Sequence, residues 1–369
     1  MNFNISRQHL NTKCGLHKKE YQGENPDNPN ELGHLDSKGK FIKCACHEHI
    51  TKEKYDEIIP KIIDELFNAG LYETLKYFSK DEDFEYLNKK YDKLKKDNID
   101  INSINAQKAG GSNIIIKSRQ YNLYNVKDNN GINIEMKWTK ENLINAFKLL
   151  DKPKSTTYSN ISELLKRIKF SPVTVYSPIM TKRILEELEC KTVFDPCIGW
   201  GGRLVGTTCL EGGYYTGCEP CVKTFQGLKN IVNDLELNDQ VNIINKPVEE
   251  VLENELKDMV YDCCLTSPPY YNLEIYSDED TQSINKFPTY ELWLEKFIEP
   301  IIKYISEHVT KYSCWSVKNF KTDKQYNLLD DIITIHEKYG WIPFIEYGIK
   351  KNVNDGSKYG DITYVFIKN

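Results

Sequence analysis

From about residue 170 the chain alternates short apolar runs with amphipathic stretches of helical period, and nothing else in the sequence constrains its fold as much. Thr192 to Phe194 ends at Asp195, Tyr214 to Cys218 ends at Glu219, and Val241 to Ile244 and Tyr261 to Leu265 follow, the last ending at Ser267. Helices are expected at Arg203 to Leu210, Val222 to Leu235, Leu292 to His308 and Leu328 to Tyr339, with a further strand at Tyr312 to Val317. Strands alternating with helices predict a parallel sheet with right-handed crossovers, an α/β doubly wound fold. The last two strands, Ile342 to Ile349 and Ile362 to Ile367, have only a polar loop between them, which predicts one antiparallel strand near the edge.

Two of these strand ends carry chemistry. After the first comes Asp195-Pro196-Cys197-Ile198-Gly199-Trp200-Gly201-Gly202, an acid followed by a glycine-rich turn. Glycines there let the backbone turn tightly and approach a ligand closely, and ligands of such sheets sit beyond the carboxyl ends of the strands. The competing reading is a dinucleotide site, but the glycine spacing is G-x-G-G rather than G-x-G-x-x-G. After the fourth strand comes Thr266-Ser267-Pro268-Pro269-Tyr270.

Together and in this order, the two stretches resemble motifs I and IV of the S-adenosylmethionine-dependent DNA amino-methyltransferases, which act on cytosine N4 or adenine N6. The resemblance covers a little over half the chain. It implies the Rossmann-like methyltransferase sheet with an antiparallel last strand, and S-adenosylmethionine as cofactor. In the cofactor site Pro196, Gly199 and Gly201 belong to the turn, Asp195 suits the cationic methionyl end directly or through water, and Glu219 suits the ribose hydroxyls. The stretch Phe170 to Met180, ahead of a helix over Thr181 to Glu189, resembles motif X and puts Thr174 and Tyr176 over the methionine. The family's acid after the third strand is missing; Asn245 stands there and is the candidate for the adenine contact.

An exocyclic amine is a poor nucleophile because its lone pair is delocalised into the ring. Ser267 Oγ and the Pro268 carbonyl are suitable acceptors for its hydrogens, Pro269 stiffens that carbonyl, and Tyr270 offers a face for the base. The base must leave the duplex to reach them. The polar, aromatic stretch Tyr271, Asn272, Glu274, Tyr276 and Gln282 is expected to form a lid around it. Serine rather than aspartate at 267 favours cytosine N4 over adenine N6. A C5-cytosine mechanism needs a cysteine nucleophile after a proline; Pro196-Cys197 and Pro220-Cys221 qualify as dipeptides but sit in the cofactor turns.

The first fifty residues differ in character. They hold five of the seven histidines and three of the eleven cysteines. Cys14, His17, Cys44 and either Cys46 or His49 form a candidate structural zinc set, with a hairpin between them turning at Asp36 to Gly39. The alternative is a polar arm with incidental thiols. Helices are expected over about 51 to 67, Leu71 to Phe78 and up to Lys96, then two strands, Ile114 to Val126 and Ile132 to Trp138, joined by a turn at Asp128 to Gly131. Thr139 caps the next helix, and 151 to 160 reads as a linker. The expected domains are a zinc module at 1–50, an accessory or target-recognition region at 51–160, and the catalytic domain at 161–369.

Net charge is −5, yet Lys137 to Lys169 holds eight basic residues against three acids. Such a run is either a solvated face or a phosphate-tracking strip. No apolar run approaches the roughly 18 residues that span a bilayer, and the N-terminus has no apolar h-region, so neither a membrane span nor a secretory signal is expected. Cysteines at irregular spacing read as reduced thiols in a cytoplasm, and heavy use of Lys, Asn and Ile points to an AT-rich genome such as that of a virus or phage. DNA is the expected partner, with a cognate restriction nuclease as a second. An RNA or protein-glutamine amine methyltransferase and a catalytically silent DNA-binding protein are the alternatives.

Overall fold

The computed structural model describes residues 24–25, 28–35, 41–43, 52–78, 84–97, 115–116, 119–128, 130–150, 168, 175–350 and 359–369. Cys14, His17, Cys44, Cys46, His49 and Thr174 lie outside the described residues, as does the 151–160 linker. Of the basic strip, only Lys137 and Lys140 have described side chains. The chain divides into two compact units, residues 1–80 with 133–171, and residues 81–132 with 172–369.

In the first unit, Asn28–Leu35 and Phe41–Lys43 pair antiparallel with Leu35 opposite Phe41, the hairpin expected from the turn at Asp36 to Gly39. A helical run, Lys52–Phe78, breaks at Gly70, whose φ of 81° and ψ of 167° no helix accommodates. Two helices result, as the periodicity predicts. Ile63, Leu66, Leu71 and Leu75 bury their side chains, and the Trp138 indole donates to the Leu66 carbonyl at 3.2 Å. Thr139 Oγ1 accepts from the Asn142 amide and caps the helix Lys140–Leu150.

The second unit is built on a seven-stranded sheet: β1 (Thr192–Asp195), β2 (Tyr214–Cys218), β3 (Val241–Ile244), β4 (Tyr261–Thr266), β5 (Val309–Ser316), β6 (Trp341–Lys350) and β7 (Tyr359–Lys368). Their order is β6-β7-β5-β4-β1-β2-β3. β3, β2, β1, β4 and β5 are mutually parallel, whereas β7 runs antiparallel to both β5 and β6. This is the doubly wound methyltransferase layout with its antiparallel last strand. The order reverses at β1 and β4, and that is where an open sheet of this kind leaves a crevice.

Adjacent residues on each strand face opposite layers. Val193, Leu265, Cys314 and Val365 join the core under α1 (Pro178–Glu187), α2 (Gly202–Thr208) and α3 (Val222–Asp234). Phe194, Cys264, Trp315 and Phe366 join the core under α4 (Glu299–His308) and α5 (Leu328–Lys338). Both faces are covered, so the strands read as continuous apolar runs. The helix expected over Leu292 to His308 forms, but a π-helical turn at Leu294–Ile298 interrupts it.

One expectation fails. The two strands foreseen at 114–126 and 132–138 are instead a 3₁₀ turn, Tyr121–Tyr124, and a short helix, Ile134–Lys137, with only Lys127–Asp128 extended. The turn between them is as expected: Gly131 has a φ of 75°, and Asp128 Oδ1 accepts from the amides of Asn130 and Ile132. Leu123 and Val126 pack into the core of the sheet unit, together with Tyr91 and Leu94 from the helix Phe84–Lys96. Segments assigned by sequence to the accessory region 51–160 thus belong in part to the sheet unit.

That helix is held by a buried lysine. Lys182, 3% exposed, donates to the carbonyls of Leu94, Lys95 and Asp97 at 3.1, 2.7 and 2.8 Å, closing the helix end whose carbonyls lack intrahelical partners. Lys182→Met keeps most of the apolar stem and removes the charge and all three donors. It is expected to lower stability by about 2–4 kcal/mol, read from the urea-unfolding midpoint. A change under about 0.5 kcal/mol would remove the capping role.

Candidate functional site

A cleft opens beyond the carboxyl ends of the parallel strands. Four strand ends supply its walls: Pro196, Cys197, Gly199 and Trp200 after β1, Glu219 to Cys221 after β2, Pro247 to Glu249 after β3, and Ser267 and Pro269 after β4. Tyr276 and Thr281 to Ser283 from the following loop, and Phe297 from the π turn, complete it. Of the residues singled out by sequence, Pro196, Gly199, Glu219, Ser267 and Pro269 meet in this one cleft.

The glycine turn owes its shape to contacts as well as conformation. Gly201 has a φ of 93°, and a Cβ there would lie 2.8 Å from Leu228 Cδ2. A Cβ on Gly202 would strike the Tyr176 carbonyl oxygen at 2.0 Å. Tyr176 therefore braces the start of α2; its hydroxyl bonds Thr363 Oγ1 at 2.7 Å, and it does not line the cleft.

Asp195 is fully buried and fully used. Its Oδ2 accepts from Arg203 Nε at 2.6 Å and from the Tyr215 hydroxyl at 2.5 Å. Its Oδ1 accepts from Thr266 Oγ1 at 2.9 Å and the Cys197 amide at 3.2 Å. Arg203 also donates to the Cys197 and Ile198 carbonyls. Burial would pull the guanidinium down, but the Asp195 charge holds it above its ordinary value. The acid that sequence placed at the methionyl end is instead the rivet beneath the turn, holding β1, β2, β4 and α2 together.

Glu219 differs. It is 7% exposed and lines the cleft. Its two oxygens accept from the Cys221 amide at 2.8 Å and the Gly199 amide at 3.1 Å. Burial pushes its pKa up to about 8; the two amides counteract this in part, and the neighbouring Glu279 charge adds to it. Asn245 turns away from the cleft and donates to the Glu219 and Pro220 carbonyls at 2.8 and 3.2 Å.

Four residues after Asn245 an acid does line the cleft. Glu249 lines the cleft, held 2.6 Å from Lys286 Nζ through one oxygen, while Oε2 has no hydrogen-bond partner among the described residues. Gln282 Nε2, in the same cleft, is likewise buried and without a partner among them. A buried polar atom left unpaired is costly, and here an acceptor and a donor without partners among the described residues belong to two residues that line one cleft. A 3₁₀ turn at Val248–Glu250 places Glu249 there, and the Glu249-Glu250 pair after Pro247 is the signal in the sequence.

At the fourth strand end, Ser267 Oγ donates to the Ser316 carbonyl at 3.1 Å, and the Tyr270 hydroxyl donates to the same oxygen at 3.2 Å. The serine proton is thereby committed to β5, which leaves the Ser267 lone pairs free to accept. Pro268 is buried and Tyr270 is half-buried, its ring stacked on Phe320 at 6.0 Å. Tyr271 turns the chain with a φ of 46°, a costly conformation for an aromatic residue. It is anchored among Tyr290, Trp293 and Tyr326, and its hydroxyl donates to the Pro288 carbonyl at 2.6 Å. Of the expected lid, Tyr276 and Gln282 face the cleft, whereas Tyr271 and Asn272 face away, Asn272 bonding Asp323 and Tyr326.

Cys197 also lines the cleft. Burial and then the Asp195 charge push its thiol well above its ordinary pKa, so it stays a thiol at neutral pH and is no nucleophile. Among the described residues no group of three or more His, Cys, Asp or Glu is placed to hold a metal, and no helix is long and apolar enough to cross a membrane.

No family model and no curated protein matches the sequence. Among solved structures, it is similar to an S-adenosylmethionine-dependent methyltransferase from Agrobacterium tumefaciens, with 13% identity over 54% of this chain and 64% of the other and a TM-score of 0.37. TrmN from Thermus thermophilus shares 9% identity over 53% of this chain and 49% of its own, with a TM-score of 0.36. Magnesium protoporphyrin IX methyltransferase from Synechocystis shares 11% over 54% and 87%, with a TM-score of 0.32. The match spans less than two thirds of the first two chains. Likeness at this level assigns no activity; the fold rests on the chain's own strand order and the site on its own residues.

Proposed function

We propose that this protein transfers a methyl group from S-adenosylmethionine to the exocyclic amine of a DNA base, cytosine N4 rather than adenine N6. The observation that carries the reading is the convergence of Ser267 and Pro269 with the glycine turn and Glu219 on one cleft.

The residues present fit the cofactor. Glu219 supplies carboxylate oxygens for a pair of ribose hydroxyls, Glu249 Oε2 an acceptor for the adenine amine, and Gln282 Nε2 a donor for a ring nitrogen. Bound there, S-adenosylmethionine supplies an electrophilic methyl group on a positively charged sulfur. The chain's own part is to position the amine. Ser267 Oγ and the Pro268 carbonyl accept its two hydrogens, which favours the tetrahedral nitrogen needed for attack. Both acceptors are held in advance, one by the Ser316 carbonyl and one by consecutive prolines. Transfer to an amine so held would release the neutral thioether S-adenosylhomocysteine, and the surplus amine proton would pass to water. Tyr270 offers the ring for stacking, and alignment supplies much of the rate.

A single experiment tests reaction and substrate together: incubation with tritiated S-adenosylmethionine and unmethylated DNA, RNA or protein, then digestion and mass spectrometry. N4-methylcytosine in DNA is the expected product. N6-methyladenine would correct the base. Label in RNA or in glutamine alone would move the activity to those substrates, and no transfer to any of them would overturn the reading.

A further inference from the structure

Two walls of the cleft are fixed by a segment that lies well ahead of the first strand of the sheet, Thr192–Asp195, and the geometry points to residues 119–128 as a positioning strap that sets how tightly and how long the cofactor is held. The inference rests on the cofactor reading above.

One end of the strap grips the start of α3. Asn122 Nδ2 donates to Thr224 Oγ1 at 2.9 Å and to Cys221 Sγ at 3.4 Å, and both of those residues line the cleft. The Asn122 amide is itself oriented, because its oxygen accepts from Asn125 Nδ2 at 3.0 Å. Gln120, 1% exposed, donates to the Thr224 carbonyl at 3.1 Å. Its approach requires Gly227, where a Cβ would lie 2.4 Å from Gln120 Oε1.

The other end grips the loop after Tyr270. Lys127 and Asp128 pair antiparallel with Ile275 and Glu274. Lys127 Nζ reaches both oxygens of Asp278 at 2.8 and 2.7 Å. Beside that ladder stands Tyr276, which lines the cleft and bonds Glu274 Oε2 at 2.5 Å. A third link closes the circuit: Glu279 accepts from the Val222 amide at 3.3 Å and from Cys221 Sγ at 3.5 Å. Strap to helix, helix to loop and loop to strap form one ring of contacts. The strap's grip on α3 is buried at Gln120 and half-buried at Asn122, whereas Asp278 is 78% exposed, so the link from loop to strap is the one that solvent and salt weaken first.

Asn122 and Lys127 are therefore positioning residues, acting on the ligand through Thr224, Cys221 and Tyr276. The probe is S-adenosylhomocysteine, with Kd and dissociation rate measured on the full chain. Asn122→Ala is expected to raise Kd about tenfold through faster dissociation. Lys127→Ala is expected to speed dissociation about threefold, Lys127→Arg to restore it, and 0.5 M salt to reproduce the alanine effect in the wild type but add nothing in the variant. Wild-type binding with both variants unchanged overturns the strap. If the wild type binds no S-adenosylhomocysteine, the cofactor reading falls, and hydrogen exchange in the ligand-free chain decides the strap separately. Faster exchange of the Val222 amide in Asn122→Ala and of the 274–276 amides in Lys127→Ala supports it; unchanged exchange overturns it.

Discussion

Ser267→Ala is expected to lower kcat by a factor of about 100 to 1,000 while leaving cofactor affinity within about twofold, because it deletes one preorganised acceptor that acts only as the amine becomes tetrahedral. The magnitude follows from the hydroxyl's setting. Its proton goes to the Ser316 carbonyl at 3.1 Å, so its lone pairs face outward without reorganisation when the substrate arrives. Tyr270→Phe breaks a parallel bond to the same carbonyl and is expected to cost only a few-fold, about the worth of one neutral hydrogen bond. Tyr270→Ala removes the stacking face and is expected to raise KM for the nucleic acid more than it lowers kcat. Ser267→Asp should not restore activity: a carboxylate there has no proton for Ser316 and would face that carbonyl as a like partial charge. Single-turnover methyl transfer, which isolates the chemical step, is the measurement. Undiminished turnover in Ser267→Ala would leave the Pro268 carbonyl as the working acceptor and the hydroxyl without a role.

The strands at the centre of the sheet were legible because they are buried on both faces and stand out as apolar runs between breakers, and even the half-buried edge strand Val241–Ile244, like Tyr214–Cys218, matches the expectation residue for residue. The antiparallel last strand was legible because no helix intervenes. What misled was locally ambiguous. The stretch from Ile114 to Val126 is rich in β-branched and aromatic residues, yet Tyr121–Tyr124 forms a 3₁₀ turn because Gln120 and Asn122 find partners on α3, more than a hundred residues away in the chain. Asp195 looked like a ligand for the same kind of reason. Its donors Arg203, Tyr215 and Thr266 come from three other elements, and no local spacing reveals that they converge on it. Glu249 is the opposite case, an acid that a 3₁₀ turn places in the lining of the cleft.

Glu219 makes the second large prediction, a cofactor affinity that rises with pH. Burial lifts its pKa from the ordinary 4.5 to about 8, and the amides of Gly199 and Cys221 do not cancel that rise. At pH 7 only about a tenth of the free protein would carry the ionised carboxylate. Ribose hydroxyls donate best to the ionised form, so binding must expel the proton. The Kd is then expected to fall about tenfold per pH unit between pH 6 and 8 and to level off above. Isothermal titration with 5′-methylthioadenosine reads this cleanly, because that ligand keeps the adenosine and lacks the titratable α-amino and carboxyl groups of the methionyl end. Proton release should appear as a dependence of the heat on buffer ionisation. The same shift acts on folding with a definite sign. A carboxyl whose folded pKa lies above its unfolded value favours the folded state below about pH 4.5, and that contribution is lost as pH rises to about 8, an amount of order 5 kcal/mol for the ligand-free chain. Glu219→Gln removes the titrating group while keeping one acceptor. It is expected to make the ligand-free chain more stable than the wild type above pH 8 and the Kd independent of pH. A Kd already flat from pH 6 to 9 in the wild type, or a slope that persists in Glu219→Gln, would mean that Glu219 does not meet the ribose and that its burial serves the turn alone.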